Sequence, residues 1–137
     1  MKKVYPVILT QTNDIVLVEV PDLEIFTEGK SMADAIEMAR DAIGLKVISY
    51  EDDQIKIPEP SKLETVQAEK GTFSNEGINY VSLVDVDFIE YRRKTDNKTV
   101  RRNVTLPNWL DYEAKKAQVN VSKILQDALM SILNVSR

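Results

Sequence analysis

The sequence predicts an α+β protein built as two units, and three observations lead there. β-branched runs fill the first thirty residues, apolar residues recur at helical spacing after Ser31, and the charge changes sign near residue 91. Residues 1–90 hold 8 Lys and Arg against 18 Asp and Glu, a net −10, whereas residues 91–137 hold 10 against 4, a net +6. Opposed halves of this kind point to different partners: the basic one suits nucleic acid, the acidic one a basic protein. At 137 residues and 43% hydrophobic content the chain can bury a core, though only a modest one in each unit.

In the first unit, "KVYPVILTQ" and "DIVLVEV" flank the turn-prone Thr12-Asn13-Asp14 and read as a hairpin. "EIFTEG" is a third strand ending at Gly29. Ser31 followed by Asp34 has the spacing of a capping box, with the carboxylate at the positive end of the helix dipole. Met32, Ala35, Ile36, Ala39, Ile43 and Val47 then form one apolar helical face to pack on the sheet, and Gly44 either ends this helix or weakens it. "IKIPEPS" is an extended connection because each proline lacks an N–H and disfavours helix at the preceding residue. "KLETVQAE" and "INYVSLVDVDFIEY" read as further strands, and "RRKTDNK" as the linker, which places domains at 1–90 and 99–137 joined by 91–98.

The second unit opens with "VRRNVTLP". Strand alternation puts Val100, Val104 and Leu106 on one face and Arg101, Asn103 and Thr105 on the other, with Arg102 in the inward phase near the strand end. Pro107 stops the strand. "NWLDYEAKKAQ" begins a helix with Asn108 as cap, and Asn120 or Ser122 caps a second whose Val121, Ile124, Leu125, Ala128, Leu129, Ile132 and Leu133 make a broad apolar stripe. One strand and two short helices cannot close a core, so the economical arrangement is two copies pairing their strands antiparallel, with Val104, Leu106, Ile124, Leu125, Leu129 and Ile132 in the dimer core. Trp109 reads as core or dimer packing.

Composition excludes much chemistry. With neither cysteine nor histidine, the chain has no disulfide, no thiolate zinc site and no imidazole general base. The basic N-terminus is followed by too short an apolar run for a signal segment, and no run reaches membrane-spanning length, so the expectation is a cytoplasmic protein. A metal-dependent nuclease is the enzymatic alternative. Asp85 and Asp87 stand two apart on one strand, and Asp22 or Glu19 could join them around magnesium, although paired acids at a strand end are more commonly a solvated edge.

Two resemblances sharpen this reading. Strand, proline, helix, Asn-containing turn and helix resemble the ribbon-helix-helix DNA-binding domains, whose paired strands enter the major groove. The resemblance implies base reading by Arg101, Asn103 and Thr105, which suit guanine, adenine and mixed polar and methyl contacts respectively. It also implies phosphate contact at Asn120, Val121, Ser122 and Lys123. The order "YPVILTQ", "PDL", "FTEG" with its helix, "IPEPS" and "VDVDF" resembles the N-terminal domain of HicB antitoxins, a partial, inactive RNase H-like fold. Family members often carry Pro-Gly-Cys-like residues after "PDL", where this chain has Glu24-Ile25-Phe26.

Together the resemblances imply the antitoxin of a HicBA pair. Such a protein is no enzyme and needs no cofactor or metal. Its partners are a small, basic, mRNA-cleaving HicA-type toxin, operator DNA and a second copy in a homodimer that can assemble further; it makes no membrane contact. The competing reading is a ribbon-helix-helix repressor whose N-terminal domain senses a ligand or another protein.

Overall fold

A computed structural model describes residues 1–96 and 98–135. The chain divides into two compact units, Met1–Lys98 and Thr99–Arg137. The first contains β1 (Lys2–Gln11), β2 (Val16–Val20), β3 (Ile25–Gly29), α1 (Met32–Asp52), β4 (Ile78–Asp87) and α2 (Phe88–Thr95); the second contains α3 (Asn108–Lys116) and α4 (Val121–Leu133). The strands form one antiparallel sheet in the order β3-β2-β1-β4.

Alternation along the strands builds the core of the first unit. Tyr5, Val7 and Leu9 of β1, Val16, Val18 and Val20 of β2, and Val84 and Val86 of β4 are buried against Ala35, Ala39, Ile43 and Val47 of α1. The small alanines let the helix lie close to the sheet, and Gly29 is required where β3 meets it. A Cβ at Gly29 would overlap the backbone of Ala35. The turn before α1 carries the expected cap: Asp34 N–H donates to Ser31 Oγ at 3.1 Å, while the Asp34 carboxylate accepts from the Lys30 N–H at 2.8 Å. The β1–β2 hairpin closes at Gln11↔Val16, as the Thr12-Asn13-Asp14 signal predicts. Pro6 is harmless in a central strand because pairing with β2 spans only Ile8–Gln11, so its missing N–H falls where no ladder bond is required.

Several elements differ from the sequence reading. "KLETVQAE" forms no strand; Leu63–Thr65 and Ala68–Lys70 are single 3-10 turns, and their side chains are exposed or half-buried with no alternating buried face. Gly44 neither ends nor interrupts α1 but lies in the middle of its 21 residues. A Cβ there would stand 2.7 Å from the Tyr91 ring. That ring belongs to α2, which occupies most of the segment read as a linker; Asn97 lies outside the described residues. Asp87 caps α2 by accepting the Glu90 N–H at 3.2 Å, Tyr91 donates to Asp41 at 2.9 Å, and Arg92 pairs with Asp52 at 3.1 Å. The polar character of "RRKTDNK" thus reflects a helix docked by its rim on α1, and the unit boundary moves to Lys98. In the second unit Pro107, not Asn108, precedes the first helical residue.

Candidate nucleic-acid and partner-binding surfaces

In the second unit the run from Thr99 to Pro107 belongs to no strand. A strand exists only with a ladder partner, and no described segment of the same chain pairs with it. Arg101, Asn103 and Thr105 are exposed along this run, as are Val104 and Leu106. The turn between α3 and α4 passes through Gln118 in the left-handed region (φ 56°). Asn120 caps α4, its side chain accepting the Lys123 N–H at 3.0 Å. The backbone N–H groups of Val121 and Ser122 begin the helix, with the exposed Lys123 side chain beside them. No described residue of the second unit is buried, and the α4 stripe stands open: Ile124 is 54% exposed, Leu129 47% and Ile132 76%.

The acidic residues of the first unit do not converge. Glu19 accepts from the Thr72 N–H at 2.8 Å and from its hydroxyl at 3.1 Å, and Asp22 accepts from the Ser61 N–H at 2.8 Å and its hydroxyl. Both line one cleft of about 390 Å³ between the sheet and residues 61–71. Asp85 and Asp87 line another, of about 210 Å³, where Asp85 is held by Arg40 at 3.2 Å and Lys2 at 3.4 Å while Asp87 caps α2. The Arg40 guanidinium, with Lys2 behind it, keeps the Asp85 carboxyl below the ordinary carboxylate range. No grouping of three or more acidic side chains able to hold a metal ion occurs among the described residues. Neither Asp22 nor Glu19 therefore joins Asp85 and Asp87 in one cluster, as the magnesium alternative requires.

"IPEPS" fastens the long connection to the sheet. Ile57 packs on the core, the Pro58 carbonyl accepts from the Tyr5 hydroxyl at 2.7 Å, Glu59 pairs with Lys3 at 2.9 Å, and Ser61 engages Asp22. Glu24, at the departure from the family pattern after "PDL", adopts a left-handed conformation (φ 52°), one that glycine takes without a Cβ penalty. No helix among the described residues is long and apolar enough to cross a membrane.

A family model for HicB-like antitoxins of bacterial toxin–antitoxin systems matches residues 5–129, nearly the full length and both units. The chain belongs to the HicB-like antitoxin family. Three solved structures are similar to it. A chain of a toxin–antitoxin complex from Streptococcus pneumoniae is 21% identical, with 96% of this chain and 99% of that one covered and a TM-score of 0.61. The antitoxin HicB from Burkholderia pseudomallei is 23% identical over 96% and 97%, with a TM-score of 0.52. A chain of a HicA3–HicB3 toxin–antitoxin complex is 20% identical over 61% of this chain and 98% of that one, with a TM-score of 0.50. Among curated proteins no match is found.

Proposed function

We propose that this HicB-like antitoxin neutralises a small, basic, mRNA-cleaving toxin of the HicA type through Met1–Lys98, and represses its own operon as a homodimer joined through Thr99–Arg137. The β-β-β-α-β order of the first unit supports a partial RNase H-like reading, and the helix–turn–helix pair after Pro107 supports a ribbon-helix-helix one. The observation that carries the proposal is the second unit's lack of any buried described residue, against a strongly apolar α4. Such a unit acquires a core only by adding another copy, and the same pairing supplies Thr99–Leu106 with the ladder partner it lacks.

In that arrangement Arg101, Asn103 and Thr105 from two copies are concentrated in one major groove, while Val121, Ser122 and Lys123 meet phosphates on either side. The first unit carries the opposite charge, which favours encounter with a cationic, RNA-binding toxin. Co-expression with the product of the neighbouring toxin gene tests the reading. Full-length antitoxin is expected to relieve the growth arrest and copurify with the toxin, and the complex to retard its own promoter DNA but not a random duplex. Growth arrest that persists with both proteins present in soluble form would sink the neutralisation reading.

A further inference from the structure

We propose that the open edge of β4 receives an extended segment of the toxin as a fifth strand of the sheet; the inference rests on the neutralisation reading above and assigns it a place on the chain. β4 is the last strand in the order β3-β2-β1-β4, so one side of its backbone has no ladder partner among the described residues. Two hydrogen bonds fix which groups lie on that side. Phe88 N–H donates to the Met1 carbonyl at 2.9 Å, continuing the ladder that pairs Lys3 with Val86. Arg40 Nε donates to the Asp85 carbonyl at 3.0 Å, from α1 and not from β1. In an antiparallel strand the N–H and C=O of one residue point to the same side, and the side alternates along the chain. Even-numbered residues of β4 therefore face β1. Asn79, Val81 and Leu83 present their main-chain groups outward, and Arg40 closes the series at Asp85.

Edges of sheets are commonly blunted by lysine, proline or a bulge. Ile78–Val84 contains no charged residue and no proline, and its register with β1 is unbroken from Lys2↔Asp87 to Gln11↔Ile78. Large apolar side chains are exposed on both faces of this one strand: Ile78 (63%) and Tyr80 (48%) on the face of the even residues, Leu83 (49%) on the other. A strand laid alongside would cover both.

Charge selects the occupant. Met1–Lys98 holds 12 Lys and Arg against 19 Asp and Glu, a net −7. The turns packed beside β4 carry the exposed Glu64 and Glu69. A second copy would bring the same acidity to the edge, whereas a basic strand with alternating apolar residues complements it.

Amide exchange of the full chain, alone and with a catalytically inactivated form of the neighbouring gene's toxin, tests this. In the free chain the amides of Asn79, Val81 and Leu83 should exchange fast and those of Tyr80, Ser82 and Val84 slowly. The toxin should slow the first three by about tenfold or more. Leu83→Pro removes an outward N–H at no cost to the β1 ladder, and Leu83→Lys sets a cation against the incoming basic strand. Each should weaken toxin binding by about tenfold or more, the value of roughly one hydrogen bond, with thermal unfolding of Leu83→Lys unchanged. Parental affinity in both variants, or unaltered exchange at the three amides in the complex, overturns the edge assignment and leaves neutralisation standing. A parent chain that does not bind the toxin overturns both. Protection that rises with antitoxin concentration in the absence of toxin gives the edge to a second copy, and overturns the assignment as well.

Discussion

Gly44→Ala offers a perturbation whose sign depends on one contact. In an exposed helix interior the change is stabilising by about 0.8–1.0 kcal/mol, because alanine loses less backbone freedom than glycine. Here the new methyl would stand 2.7 Å from the Tyr91 ring, roughly 1 Å inside the ordinary carbon–carbon separation. The ring cannot step aside freely: its hydroxyl is tied to Asp41 at 2.9 Å, and the adjacent Arg92 to Asp52 at 3.1 Å. Overpacking of this kind costs about 1–3 kcal/mol, so Gly44→Ala is expected to destabilise the first unit by up to about 2 kcal/mol, chiefly by loosening α2. In a Tyr91→Ala background the clash is gone and the same substitution should stabilise. Urea unfolding of the four variants, followed by circular dichroism, gives the coupling. The single tryptophan, Trp109, lies in the other unit and reports that unit separately. Equal stabilisation by Gly44→Ala in both backgrounds would refute the claim that Gly44 exists to seat Tyr91.

Leu125→Asp, which would bury a charge in the proposed dimer core, should leave the chain monomeric in sedimentation; an unchanged dimer would mean that the copies meet elsewhere. Arg101→Ala should cost about 1–3 kcal/mol of discrimination between operator and random duplex, repeated in both half-sites, whereas Lys123→Ala should weaken both duplexes alike and flatten the salt dependence. Equal behaviour of the two variants over a salt series would remove the strand from base reading. The Tyr5 and Tyr91 phenols are pushed up to about 12, both by burial first, with the charges of Glu59 and Asp22 added at Tyr5 and the Asp41 hydrogen bond at Tyr91. Folded phenols then keep protons that unfolded ones release, so stability is whole below the ordinary tyrosine value of 10.0 and declines as the pH rises from there towards 12. Urea midpoints constant through that interval would contradict the burial of these rings.

What could be read from the sequence was whatever local chemistry decides. The Ser31–Asp34 cap, the Thr12-Asn13-Asp14 turn and the alternating valines of β1 and β2 carry their own signals, and so does the Asn120 cap of α4. Elements decided by a distant partner were not legible. Gly44 reads as a helix stop or a weak point because nothing nearby announces Tyr91, 47 positions on in the chain. The first half of α2 reads as the end of a strand and the second half as a linker, because Arg92 is satisfied by Asp52 on another helix and Arg93 by Glu90 within its own. "KLETVQAE" has strand-like composition but pairs with neither open edge of the sheet and folds instead into two 3-10 turns.

The position of β1 has a consequence for synthesis. It is made first yet lies inside the sheet, and its second neighbour, β4, is complete only at Asp87, 67 residues after β2 ends at Val20. At roughly 5–20 residues per second a ribosome needs about 3–13 s to bridge that gap. Throughout it β1 keeps one backbone edge unpaired, even after β3 has paired with β2 and α1 has been made. The final register then joins Lys2 to Asp87, a closure between nearly the two ends of the unit and a slow kind of contact to form. A chain that ended before β4 would leave its central strand unpaired along the whole side that Ile78–Asp87 covers.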